Sequence, residues 1–280
     1  MNAPLLSTPS VEAFFFDADP GTRFSLYHAP APRRPELGAI LYVHPFAEEL
    51  NRSRRMASLQ ARQFAAMGYA VLQIDLFGCG DSCGDFSAAR WDIWRRDLAA
   101  ALDWLQQRSA GPVQLWGLRL GGLLALDFAC STPVDGIILW QPFLHGRTCI
   151  NQFLRQRLTE TEGDSTAPRS TAVLRANLAA HGSIEVAGYS LARELAQAID
   201  ACDAAAMPVP PCPIHWFASG GPAPARQAAG VARLAQRWAE RDAILHYHPL
   251  DGPPFWGPAA GTECQALLAA TATVFGAGQP

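Results

Sequence analysis

A chain of 280 residues that is 49% hydrophobic and 17% charged has ample material for a buried core, enough for one large α/β domain or two small ones. Its formal net charge of −3 gives no electrostatic reason to expect nucleic acid or an anionic membrane as partner. All 22 basic residues are arginine, which excludes Schiff-base chemistry, a P-loop lysine and a Ser–Lys dyad.

Residues 11–17 and 23–28 are β-like and flank Asp19-Pro20-Gly21, a turn signal, so they read as a hairpin. Residues 38–43 (GAILYV) form a continuous apolar run, as expected of a strand buried on both faces. A loop from His44 to Asn51 follows, then a helical pattern over 54–67 and a strand over 70–74. The next loop is punctuated by Gly78 and Gly80, and apolar residues then recur at helical spacing over 91–107.

At Val113-Gln114-Leu115-Trp116-Gly117-Leu118-Arg119-Leu120-Gly121-Gly122 a short strand enters a tight glycine turn, with an apolar helix over 123–130 behind it. That is the strand–turn–helix in which Gly-x-Ser-x-Gly normally holds up a serine. Here the presented residue is Arg119, whose guanidinium stays protonated and cannot attack a carbonyl. A further strand follows at 136–140.

From 145 to about 203 the strand rhythm gives way to two or three amphipathic helical pieces, split by a polar stretch at 159–170. The rhythm resumes with strands at 214–218 and 243–248 and helices at 225–238 and 262–274. The organisation read from this is one α/β core, residues 1–144 and 206–280, with a helical cap inserted at 145–205 and a mainly parallel sheet covered on both faces. The seven cysteines form no C-x-x-C pair and sit largely in apolar runs, as reduced buried thiols do. With no signal-like start and no apolar run near the roughly 20 residues of a membrane span, a cytoplasmic protein without a transmembrane segment is expected.

These pieces in order resemble the α/β-hydrolase fold over nearly the whole chain. More narrowly, HPFAEELNRSRRM, IDLFGCGDS, WGLRLGG and the closing GPPFW resemble the exosortase A system-associated hydrolase 2 family, whose members are encoded beside bacterial exopolysaccharide and protein-sorting genes. The superfamily places a nucleophile at the elbow, an acid after the strand at 214–218 and a histidine before the last helix. The corresponding positions here carry Arg119, the carboxylate-free Ser219-Gly220-Gly221-Pro222-Ala223-Pro224, and the vicinity of Pro254. All three triad positions read as vacant, so the usual serine mechanism is not expected.

Arg119, the N–H of Leu120 and that of Phe46 would make an anion site of the relict oxyanion hole, since helix N-termini carry unpaired N–H groups. The competing expectation is that Arg119 pairs internally with Glu48 or Glu49. His44 near a carboxylate would serve as a general base, beside Glu48, Glu49 and Asn51 in the loop that borders the site; otherwise it is a structural loop histidine. Ser82 and Cys83 are the remaining nucleophiles near this end of the sheet. His246 and His248 share one strand face, but no spacing supplies further zinc ligands, so no metal and no cofactor are expected. Trp91, Trp94, Trp140, Phe143, Phe255 and Trp256 either line an apolar pocket under the cap or pack the core.

Three functions follow. The first is a triad-less member of the resembled family that binds or processes an anionic, acyl- or saccharide-linked intermediate of envelope synthesis. The second is a non-catalytic protein that docks a protein partner of that system. The third is an ester or thioester hydrolase with its nucleophile elsewhere.

Overall fold

The computed structural model describes residues 10–32, 34–160, 170–208, 211–219, 224–259 and 261–276. The expected hairpin is β1 (Val11–Asp17) and β2 (Thr22–His28), paired antiparallel. After it come β3 (Gly38–Val43), α1 (Glu48–Met67), β4 (Tyr69–Ile74), α2 (Trp91–Gln106), β5 (Val113–Leu118), α3 (Leu120–Ala129) and β6 (Gly136–Trp140). Then follow α4 (Gly146–Glu160), α5 (Thr171–His181), β7 (Ser183–Val186), β8 (Tyr189–Ala192) and α6 (Arg193–Asp200). The chain closes with β9 (Pro213–Ser219), α7 (Pro224–Ala239), β10 (Ile244–Leu250) and α8 (Gln265–Gly276).

Eight strands form one sheet in the order β1-β2-β4-β3-β5-β6-β9-β10, parallel from β4 to β10 and antiparallel at the β1–β2–β4 edge. Strands β3 and β6 are buried along their whole length, because helices cover both faces. On one face Ile40, Tyr42, Trp116 and Trp140 meet α1 and α8; on the other Leu41, Val43, Leu115 and Leu139 meet α2 and α3. The aromatics considered for a pocket are all buried: Trp94, Trp140 and Phe255 almost fully, and Trp91, Phe143 and Trp256 nearly so.

Two local expectations need correction. Helix α1 begins at Glu48, not at residue 54, so Glu48, Glu49 and Asn51 stand on its first turns instead of a loop. Two acidic side chains at a helix N-terminus are favoured by the unpaired N–H groups there. The segment between β6 and β9 is also not wholly helical, because β7 and β8 form a small antiparallel hairpin. Its turn is Ala187-Gly188, both at positive φ (51° and 79°), a hairpin turn whose Ala-Gly sequence is a weaker signal than Asn-Gly. Most of the polar stretch expected to split the helices lies outside the described residues.

Candidate functional site

Strand β5 delivers Arg119 at φ 56° and ψ −117°, and α3 starts on the next residue. Close packing requires the flanking glycines: a Cβ on Gly121 would lie 2.2 Å from the Val43 carbonyl oxygen, and one on Gly117 would lie 2.4 Å from the Gly122 Cα. The Arg119 N–H donates to the Trp140 carbonyl (3.0 Å), which fixes the turn against β6. A non-glycine residue in this conformation carries backbone strain that the surroundings must hold.

The side chain of Arg119 turns into the protein and is 7% exposed. Its Nε and Nη2 donate to Glu49 Oε1, both at 3.3 Å, and Nη2 donates also to Gln152 Oε1 at 2.9 Å. The guanidinium carbon lies 4.1 Å from the ring centre of Phe143 and 5.0 Å from that of Trp256. Cation–π contact on two rings, a carboxylate and an amide oxygen together surround the charge. The space left beside it, bounded by Phe46, Glu49, Phe143, Cys149 and Gln152, is about 10 Å³. A second gap, between His44, Phe46 and Leu120, is also about 10 Å³. Neither exceeds the volume of about one probe sphere that a single water needs. Burial raises the Glu49 carboxyl above its ordinary range, and the Arg119 charge opposes that shift.

The residues expected around Arg119 separate into two groups. Glu49 joins it; Glu48 does not. Glu48 Oε2 instead accepts from Asn51 Nδ2 and from the Tyr189 hydroxyl, both at 3.1 Å, which fastens the β7–β8 hairpin to α1. Phe46 lies next to the elbow, with its ring packed on those of Phe86 (5.4 Å) and Phe153 (5.0 Å), and Leu120 is buried at the start of α3.

His44 is buried with both ring nitrogens engaged. Nδ1 donates to the Pro45 carbonyl (2.7 Å) and Nε2 accepts from the Leu76 N–H (3.1 Å). These bonds select the neutral tautomer, and burial lowers its pKa. The general-base expectation for His44 therefore meets a ring whose lone pair is already used by a backbone amide.

The other nucleophile candidates sit in structural contacts. Ser82 donates to the Asp75 carbonyl and accepts from the Phe24 N–H (2.9 Å). Cys83 approaches the Pro20 carbonyl at 3.3 Å. Burial pushes the thiols of Cys79 and Cys149 up, away from the reactive thiolate. In the last loop, Trp256 caps Arg119 close to where a histidine was sought. Residues 220–223, read as lacking a carboxylate, lie outside the described residues.

Sequence reading missed three partners. Gln152 and Phe143 belong to the segment after β6, and Trp256 to the final loop, so no local spacing links them to Arg119. His215 is a fourth omission, at a different place. It stacks on His246 (4.7 Å) and His248 (5.4 Å), because β9 and β10 pair with His215 opposite His246. Among the described residues no group of three metal-ligating side chains is arranged to hold an ion, and no helix is long and apolar enough to cross a membrane.

The profile of the family described as "Serine aminopeptidase, S33" matches residues 34–202. A lysophosphatidylserine lipase of Xenopus tropicalis is 33% identical over 114 residues, 39% of this chain and 28% of that protein. A mitochondrial palmitoyl-protein thioesterase of Rattus norvegicus is 29% identical over 101 residues, 36% of this chain and 32% of that protein. The matched stretches thus span less than half the length of either relative. Among solved structures, Est1E from Butyrivibrio proteoclasticus with ferulic acid bound superposes with a TM-score of 0.67 at 15% identity, covering 94% of this chain and 98% of that one. The mouse alpha/beta hydrolase domain-containing protein 10 gives a TM-score of 0.58 at 14% identity, covering 94% of this chain and 98% of that one. At such identities these neighbours establish the fold, that of the α/β-hydrolases.

Proposed function

The chain belongs to the serine aminopeptidase S33 family of α/β-hydrolases, and from that premise we propose a member that has kept the scaffold and given up hydrolysis through a serine triad. One observation carries the reading: the residue at the elbow is Arg119, and its guanidinium is buried against Glu49, Gln152, Phe143 and Trp256. A serine hydrolase needs at this point a nucleophile, a base within hydrogen-bond reach and space for a tetrahedral intermediate. Here a cation stands for the nucleophile, His44 has no free ring nitrogen, and the adjoining space of about 10 Å³ has room for about one water and not for a tetrahedral intermediate.

Glu49 is the resident anion of the relict oxyanion pocket. An external anion would have to displace it, so the pairing favours a closed elbow over an anion site. The protein then acts by binding. The relatives named as a lipase and a palmitoyl-protein thioesterase favour an acyl-bearing ligand. The stretches HPFAEELNRSRRM, IDLFGCGDS, WGLRLGG and GPPFW favour a role beside the exosortase and exopolysaccharide machinery of a bacterial envelope.

The test is turnover of p-nitrophenyl acetate and a long-chain p-nitrophenyl ester by the purified chain, with a fluorophosphonate probe alongside. No rate above a heat-treated control and no labelling are expected. Turnover abolished by the probe would overturn the reading, because it would require a serine nucleophile outside the elbow.

A further inference from the structure

Two cavities adjoin near the start of α1, and neither is the closed elbow. The first is a chamber of about 150 Å³ between α1 and the β2–β4 edge of the sheet, walled by Phe24, Leu26, Tyr42, Leu50, Ala57 and Ile74. The second is an open cleft of about 630 Å³ bounded by α1, the loop after β4 and the β7–β8 hairpin. The latter volume falls within the range of small-molecule sites. Leu50 and Arg54 line both cavities.

The partition between them is an ion pair. Arg54 Nη2 meets Asp75 Oδ2 at 3.0 Å, with the arginine side chain 39% exposed and the aspartate 6%. Asp75 is held from the cleft side as well, because the Asp81 N–H donates to the same oxygen at 3.0 Å. Gly80 is required here: any Cβ would lie 1.9 Å from Asp75 Oδ2 and 2.7 Å from Arg54 Nη2. The turn at Gly80 thus presses on the partition from the cleft, and Ala57 and Ile74 stand behind it in the chamber.

The linings differ in chemistry. The chamber wall is mainly apolar, with the Arg54–Asp75 pair, His44, Ser58 and Gln73 also lining it, and its volume is enough for roughly six carbon atoms, as an apolar cavity of about 150 Å³ holds benzene. The cleft offers the amide of Asn51, the carboxylate of Asp81 and the hydroxyl of Tyr189, with the edge of Phe86 as an apolar surface. Since Arg54 is neutralised by Asp75, the remaining side-chain charge in the cleft is that of Asp81, and Glu48 stands behind Asn51 and Tyr189. Such a surface repels an anion and matches hydroxyl groups, which can donate to the Asp81 carboxylate and to the Asn51 amide oxygen, the amide N–H groups being taken by Glu48 and Tyr189.

We infer that the chamber and the cleft together form one site for an amphiphile, with a neutral polyhydroxylated head in the cleft and about six carbons of an alkyl or acyl tail in the chamber. The tail passes the Arg54 side chain, which a single hydrogen bond holds to Asp75 and which, 39% exposed, would swing toward solvent to admit it. This deepens the proposed binding role and rests on the elbow being closed. The two readings fail separately: serine-dependent turnover would overturn the closed elbow, whereas the measurement below overturns only this site.

The experiment is isothermal titration calorimetry of the full chain with alkyl β-glucosides from methyl to decyl, each below its micelle concentration, and with hexyl phosphate and hexylamine. Affinity should rise about three- to fourfold per methylene up to roughly hexyl and then level off, as expected for burial in a chamber of fixed length. Hexyl phosphate should bind at least about tenfold more weakly than hexyl glucoside, because like charge opposes it. Ala57→Leu should move the plateau to shorter chains, and Asp81→Asn should weaken the glucosides without moving it. A rise continuing through decyl would mean non-specific adsorption and overturn the chamber. Equal or tighter binding of the phosphate or the amine would overturn the neutral head, and no binding of any glucoside would overturn the site. The chain-length series on the wild-type protein decides the matter even where Ala57→Leu does not fold.

Discussion

Arg119 is enclosed and strained, and both properties follow from its position. The elbow's backbone geometry is forced by the approach of Gly121 to the carbonyls of β3, so it persists whatever side chain is carried. An arginine there must be buried, and a buried cation is tolerable only with an anion and hydrogen bonds around it. Glu49 and Gln152 supply these, and the rings of Phe143 and Trp256 cover both remaining sides. Removing one partner leaves an uncompensated buried charge, whereas removing both with apolar replacements can be nearly neutral. Arg119→Met should therefore lower unfolding free energy by about 3–5 kcal/mol in urea titrations. Arg119→Met combined with Glu49→Leu should recover most of that loss. If the double variant were as unstable as the sum of the two single ones, the pair would not be acting as a unit.

At the scale of elements, what the sequence revealed follows burial. Strands β3 and β6 read clearly because they are apolar on both faces, and the alternation of strands and helices gave the parallel sheet. The β7–β8 hairpin did not read, because its strands are four residues each and Ala187-Gly188 is an ambiguous turn. The start of α1 was misplaced because Glu48 and Glu49 look like loop residues, although charge favours them at a helix start. The elbow was legible as a contiguous motif, but the choice between Glu48 and Glu49 was not, since it depends on which face of α1 looks at β5. The same limit hid His215 from His246 and His248, which meet only through the β9–β10 register.

That register has a consequence for pH. His215 is held between two imidazoles and the ring of Phe275, and burial, followed by the neighbouring imidazoles, lowers its pKa from 6.5 to about 4. A histidine with a depressed folded-state pKa takes up a proton more readily when unfolded. Stability is thus full above about pH 6.5 and is lost as pH falls toward about 4. After discounting for its partial exposure, the loss should be about 1–2 kcal/mol. Thermal unfolding followed between these limits should show this slope, and His215→Gln should flatten it. An unchanged slope in the variant would assign the pH dependence to other groups.

For the molecule as a whole, the decisive question is how the segment between β6 and β9 is held to α1 and the elbow. Among the described residues its polar attachments to α1 and the elbow include Gln152 to Arg119 at 2.9 Å, Tyr189 to Glu48 at 3.1 Å and Asn51 to Tyr189 at 3.4 Å. Ring contacts of Phe153 with Phe46 and of Tyr189 with Phe86 supplement them, at 5.0 and 5.1 Å. Arg119 therefore links three parts of the chain, the sheet, α1 and α4, although it sits where a nucleophile would be sought. If 145–205 packs as one insertion, weakening these links should let it open locally while the sheet stays closed, since local openings have free energies below that of global unfolding. Native-state amide exchange would report this. Gln152→Ala should speed exchange in α4, and Tyr189→Phe should speed it in β7 and β8, with β3 and β5 unchanged in both variants. The two effects should be partly independent, because one link is at the elbow and the other at the hairpin. Faster exchange in β3 and β5 to the same degree would mean that the segment and the sheet open together, and that Arg119 stabilises a single cooperative unit instead of fastening an insertion to its core.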